Sequence, residues 1–279
     1  MSSAVNTSSH STGSRNPHEN FEKFFDSWLA DQDRDLQSLT AAAALPLPRT
    51  ADEEAAQNNR LRRLLNAVLA RYEHYYRVKE ASALHDVRSM FNPSWTSTTE
   101  NLFLWVGGWR PTMAIHLLYS KCGIQVEASI HELALGAHAG NLADLDAAQL
   151  HHIDILHRMV VRAEKEISEE AASAQEKVAG EPLVRLSHIV TEMGGGDGAE
   201  LLEAEMKGKE EDMRKMLEKA DCLRIDTLKG LVEILQPMQA LHFFIAAAEL
   251  HLRVHDFGKM KDAEMAAKAQ QVQAPAAAL

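Results

Sequence analysis

This 279-residue sequence predicts an all-α fold: a helical bundle with two long antiparallel helices and an inserted helical hairpin. Three observations carry that reading. Apolar residues recur at steps of three and four along most of the chain, and strand signals are absent. Two segments, about 146–178 and 199–236, hold an alternating three-four seam over many turns. Capping and breaking residues fall between the periodic stretches, where a bundle needs its loops. The apolar share of 46% suffices for a sizeable core.

Residues 1–17 are rich in Ser and Thr and are expected to form a disordered tail. A first helix is expected from about His18 to Thr40. Phe21, Phe24, Phe25, Trp28, Leu29, Leu36 and Leu39 recur there at helical spacing, with the Asp and Arg residues of 31–35 on a solvated face. The aromatic group Phe21, Phe24, Phe25 and Trp28 has two readings. It is a core stripe, or it is the face of an amphipathic helix that docks in a partner's groove. Pro46 and Pro48 end the helix. A second helix is expected from about Asp52 to Met90. Its stripe is Leu61, Leu64, Leu65, Val68, Leu69, Tyr72, Tyr75, Val78, Ala83 and Val87, and Pro93 closes it.

The densest local signals lie in WTSTTENLFLWVGGWRPTMAIHLLYSKCG, residues 95–123. Ser97 and Glu100 form a capping-box pattern, in which hydroxyl and carboxylate each take an orphan amide. A short helix is expected through Leu102, Phe103, Trp105 and Val106, ended by Gly107 or Gly108 in the left-handed region. Pro111 suits the first position of the next helix, which carries Met113, Ile115, Leu117, Leu118 and Tyr119. This helical hairpin is expected at the centre of the fold.

HELALGAH, residues 131–138, reads as helix, Gly140 and Asn141 as a break, and Asp144 or Asp146 as the next cap. The first long helix then carries Ile153, Leu156, Val160, Ala163, Ile167, Ala171, Ala174 and Val178. Gly180 and Pro182 interrupt it, and a short helix covers Leu183 to Met193. GGGDG, residues 194–198, reads as a link; no Gly-Lys-Ser/Thr follows, so it is not a phosphate loop. The second long helix carries Leu202, Met206, Met213, Met216, Ala220, Leu223, Thr227, Leu231 and Ile234, up to Pro237. Its methionines read as core, although such seams serve a homo-oligomer equally well. A last helix runs from about Met238 to Phe257. The domain is placed at 18–260 and a disordered tail at 261–279.

Composition excludes several functions. The net charge is −11, and the phosphate term of nucleic-acid binding needs clustered cations. Cys122 and Cys222 give neither zinc spacing nor a disulfide framework, which favours a reducing compartment. The N-terminus lacks the apolar core of a secretory signal, and no run is long enough to cross a membrane. A soluble intracellular protein is expected, with no membrane contact.

Among the fourteen histidines, His151, His152 and His157 lack a zinc-helix pattern, and His131 and His138 are too far apart for one. They read as exposed polar positions. His251 and His255, four apart in LHLRVHDFG, project from one helix face. Such a pair binds a metal or a haem iron, or it is two surface histidines near a helix C-terminus. One iron cannot readily take both, since axial ligands approach from opposite porphyrin faces. One ligand and one supporting residue fits better. No nucleophile motif or paired carboxylates appear.

Six segments together resemble a known family: FFDSWLADQDRDLQSL (24–39), HYYRVKEASALHDV (74–87), WTSTTENLFLWVGGWRP (95–111), LADLDAAQLHHIDILH (142–157), ADCLRIDTLKGLVEILQPMQA (220–240) and HLRVHDFGKMKD (251–262). Over about residues 20–260 the chain resembles the plant Delay of Germination proteins. It is also similar to the C-terminal half of TGA-class basic-leucine-zipper factors. The resemblance implies a regulator of seed dormancy and abscisic acid signalling, not an enzyme, in nucleus and cytoplasm. It implies binding of type-2C protein phosphatases through the N-terminal helix, with Phe24, Phe25 and Trp28 as the partner-binding residues. The family's phosphatase-contacting segment is kept in register here only at Trp28. The resemblance also implies haem, its iron on His251 and His255. A second reading is a transcriptional co-regulator that pairs with zipper factors, and a third is a haem enzyme or carrier. No basic region precedes residue 20, so direct DNA binding is not expected.

Overall fold

The structure, a computed structural model, describes the backbone of residues 17–133, 145–193 and 197–273. Among them are nine α-helices: α1 Pro17–Ala43, α2 Ala51–Ala83, α3 Val87–Phe91, α4 Thr98–Asn101, α5 Thr112–Leu133, α6 Ala147–Glu176, α7 Glu181–Met193, α8 Asp197–Ile234 and α9 Pro237–Gln273. The all-α bundle follows from the periodicity. On α1, Phe21, Phe25, Trp28, Gln32, Asp35, Leu39 and Ala42 are buried, a single stripe at steps of three and four. That stripe lies antiparallel along α9, with the Phe25 ring 5.9 Å from His255 and the Trp28 ring 5.1 Å from His251.

The two long helices α6 and α8 are antiparallel, as the seams predict. Gln149 Nε2 donates to the Ile234 carbonyl at 3.0 Å near one end, and Lys219 meets Glu170 at 2.7 Å towards the other. Asp146 caps α6 with a full capping box to Gln149. The seams pack on each other, with exceptions: Val178 and Met206 are exposed. One core joins α1, α2, α5, α6, α8 and α9 around Leu39, Leu65, Ile115, Ile153, Leu231 and Phe244. A second lies around Phe21, Phe25, Trp28, Met90, Trp95 and Leu217.

Three expectations are corrected. The second helix stops at Ala83. The His85 and Asp86 amides turn back to the Ser82 carbonyl, and Asp86 caps α3 by accepting from the Ser89 amide. The helical hairpin is not a hairpin of two helices. Its first arm is the single turn α4, followed by a reverse turn in which Trp105 and Gly108 exchange backbone hydrogen bonds of 2.7 and 3.2 Å. Val106 and Gly107 hold φ of 45° and 67°, the pattern of a type I′ turn. Leu102 and Phe103, at 79% and 53% exposure, lie outside the core. The cause is distant in sequence: the Arg224 guanidinium donates to the carbonyls of Trp105, Val106 and Trp109, which a helix would have used internally. Last, α9 continues to Gln273 through a segment expected to be a disordered tail. The run KDAEMAAKAQQ is made almost entirely of strong helix formers, so it needs little packing.

Of HELALGAH, His131 to Leu133 end α5, and the remainder lies outside the described residues, as do residues 1–16 and Gly194 to Gly196. Among the described residues no helix is long and apolar enough to cross a membrane.

Candidate functional site

The capping box of α4 is docked onto α9. The Glu100 carboxylate is buried, and one oxygen, Oε2, accepts from the Ser97 amide at 2.7 Å, the Ser97 hydroxyl at 2.7 Å and His255 Nδ1 at 2.9 Å. Burial alone would raise the pKa of Glu100. The hydrogen bonds from His255 and Ser97 outweigh it and hold the carboxyl below its ordinary value. Further along, the Thr98 amide and hydroxyl donate to Asp262. Gly258 lies between these contacts, and a Cβ there would stand 2.5 Å from Ser97 Cβ. Glycine is required for α4 to approach α9 this closely.

His251 lies one turn before His255. Its Nε2 is 4.0 Å from Glu100 Oε1, and its Nδ1 is buried with no hydrogen-bond partner among the described residues. Burial pushes its pKa down to about 4, against the pull of Glu100, so the imidazole is neutral at pH 7. The Trp28 ring lies 5.1 Å away and the Trp109 ring 6.3 Å. Both histidines therefore face a single carboxylate.

Of the two histidines, His255 is the one whose surroundings would suit holding a haem iron. His255 donates Nδ1–H to Glu100, the arrangement that orients a metal-ligating imidazole, and its Nε2 has no protein partner among the described residues. His251 is enclosed by tryptophans and turned towards the same carboxylate.

The three residues assigned to a partner divide. Phe25 and Trp28 are buried in the second core, so the core-stripe reading holds for them. They face inward because Tyr75, His251 and His255 supply the other half of the aromatic packing. Phe24 is half-buried, edge-on to His74 at 5.6 Å. His151 and His152 are exposed on α6, and His157 sits against His116 at 5.6 Å. Among the described residues no three His, Cys, Asp or Glu are grouped to hold a metal ion.

Sequence reasoning missed the buried charges. Lys79 donates to the Gly107 carbonyl at 2.7 Å and to Asp221 at 2.9 Å. Asp221 also pairs with Arg224. Burial pushes the Lys79 ammonium down to about 8, with Asp221 opposing. On α6, buried Glu164 accepts from the Thr112 amide at 2.7 Å and from Arg110 at 2.7 Å, so it caps α5 from a neighbouring helix. A signal was present: each of these charges falls in register with an apolar stripe, Lys79 between Tyr75 and Ala83, and Glu164 between Val160 and Ile167.

A family model described as seed dormancy control matches residues 36–120, which span α2, the capping box and the Trp105 turn. Protein DOG1-like 1 of Arabidopsis thaliana is 30% identical over 271 residues, 88% of this chain and 93% of the relative. The chain belongs to the DOG1-like family. The Arabidopsis protein named Response to ABA and Salt 1 is 29% identical over 85% of this chain and 94% of its own length. The DOG1-like family is involved in seed dormancy and the response to abscisic acid. The Arabidopsis transcription factor TGA2 is 24% identical over 91% of this chain and 66% of its own length.

Proposed function

We propose that this DOG1-like protein is a non-enzymatic regulator of seed dormancy and abscisic acid signalling that binds type-2C protein phosphatases in nucleus and cytoplasm. The observation that supports it best is the seed-dormancy match at residues 36–120, continued by relatives along most of the chain. The bundle spends its buried charges on holding helices together. Glu100, Glu164 and Asp221 are each committed to structural donors. With Phe25 and Trp28 in the core, a phosphatase docks on the outward face of α1, where Lys23 and Ser27 are exposed beside Phe24. The test is co-purification with a panel of type-2C phosphatases, using wild type, Phe24→Ala and Lys23→Glu. Capture by wild type and its loss in the α1 variants are expected. Failure of every phosphatase, where a family control captures one, overturns the reading.

Haem belongs to the same proposal, held through His255 Nε2 with Glu100 fixing the ring. When bound, it would supply a centre sensitive to redox state and gaseous ligands. Hemin titration followed by Soret absorbance should be saturable in wild type, lost in His255→Ala and retained in His251→Ala. Identical titrations in all three remove haem from the model of function.

The TGA2 likeness supports a second reading, a transcriptional co-regulator paired with basic-leucine-zipper factors through the shared helical domain. A co-purification screen that returns zipper factors and no phosphatase selects it.

A further inference from the structure

A partly open cavity of about 180 Å³ lies where α1, α2, α5, α8 and α9 converge with the Trp105 turn. An engineered apolar cavity of about 150 Å³ binds benzene, so this one has room for a single aromatic ring and little more. Trp28, Tyr75, Trp95, Trp109 and Phe243 supply flat apolar wall.

At one end of the wall two cations share a carboxylate. Lys79 and Arg224 both line the cavity, with side chains only 3% and 4% exposed, and they share one carboxylate, Asp221. Asp221 lies behind them and lines a separate surface groove instead. Glu100 is the carboxylate in the cavity wall, and its Oε2 is committed to Ser97 and His255. Arg110, at the rim, is paired with Glu164. His251 is neutral. Lys79 directs N–H groups to Gly107 and Asp221, which leaves one of its three donors unused among the described residues. A buried ammonium with a spare donor beside a guanidinium complements an anion. Inorganic anions are poor occupants, because most of the wall offers them no hydrogen bonds.

We propose that this cavity binds a small aromatic carboxylate, its ring among the aromatic side chains and its carboxylate on Lys79 and Arg224. Binding would cement α2 to α8 across the Trp105 turn. The inference stands apart from the phosphatase and haem readings, since neither uses Lys79 or Arg224.

The experiment titrates benzoate into the full chain at pH 7 by calorimetry and ligand-observed NMR, with benzyl alcohol as the neutral isostere. The variants are Lys79→Met, which removes the spare ammonium donor, and Ala247→Leu, which fills the cavity. Wild type should bind benzoate saturably at one site, and roughly tenfold tighter than benzyl alcohol, the worth of one charge-assisted hydrogen bond. Lys79→Met should lose that preference, and Ala247→Leu should lose both ligands. Absence of saturable benzoate binding by wild type overturns the proposal, as does equal binding by Ala247→Leu. If Lys79→Met does not fold by circular dichroism, Ala247→Leu and the benzyl alcohol comparison decide.

Discussion

Glu100 and His255 are joined at 2.9 Å across 155 residues of sequence. The bond ties the capping box of a single helical turn to the last helix. The carboxylate that completes the cap through Ser97 also fixes the imidazole ring. Local capping and long-range docking therefore rest on one buried charge.

Removing that charge should cost more than a cap. Glu100→Ala leaves the Ser97 amide and His255 Nδ1 without their acceptor in a buried setting. A loss of about 3 kcal/mol is expected, in the range for leaving two buried donors without their acceptor. Glu100→Gln keeps an acceptor for Ser97 and should lose about half as much. Urea unfolding followed by tryptophan fluorescence checks both. Equal, small losses would mean that the α4–α9 contact contributes little to stability.

Acid should weaken the fold before carboxylates alone would. The His251 pKa is pushed down to about 4 in the folded chain by burial, while an unfolded histidine titrates near 6.5. Between those values the unfolded chain binds the proton and the folded chain does not, so stability is full above pH 6.5 and falls as pH drops towards 4. The change is of order 2–3 kcal/mol. Glu100, held low by its donors, adds a loss of the same sign at lower pH still. Urea midpoints measured against pH should show this slope in wild type and a much flatter one in His251→Phe. A flat wild-type curve would mean that His251 is not buried as a neutral ring.

The helices were readable because each buries an apolar stripe whose period survives in the sequence. Asp146 and Ser97 announce their caps locally, through residues three positions on. The Trp105 turn was not readable. Its positive φ angles and lost helical hydrogen bonds are stabilised by Arg224, more than a hundred residues away, and nothing in LWVGGW names that partner. The site was half legible. His251 and His255 stand out by spacing, but their shared partner was assigned only a capping role, since a capping glutamate carries no sign of a second use. Lys79, Asp221 and Arg224 look like ordinary surface charges until the stripe positions on both sides of each are counted as core.

Glu164 should behave as a cap supplied from outside the helix it caps. It takes the Thr112 amide and the Arg110 guanidinium, both at 2.7 Å, while itself buried. Glu164→Ala is expected to cost about 2–4 kcal/mol, because a buried amide and half of an ion pair lose their partner. Hydrogen exchange should rise first at the start of α5, around Thr112 and Met113. Uniform acceleration across the bundle, with no lead at α5, would show that Glu164 acts only through overall stability.

Two glycine-to-alanine changes should move stability in opposite directions. Gly208 lies in α8 with nothing within 4 Å of an added Cβ. Gly208→Ala should therefore stabilise by about 0.5–1 kcal/mol, the helix-propensity difference. Gly258 has the same helical backbone, but its added Cβ would overlap Ser97 Oγ and stand 2.5 Å from Ser97 Cβ. Ser97 cannot turn away, because its hydroxyl and amide are both held by Glu100. The turn α4 must lift from α9, and the strain, about 1–3 kcal/mol, exceeds the propensity gain. Gly258→Ala should lower the thermal midpoint and expose the His255 imidazole to chemical modification, while Gly208→Ala raises the midpoint and leaves His255 protected. Equal protection of His255 in both variants would show that α4 is not seated on Gly258.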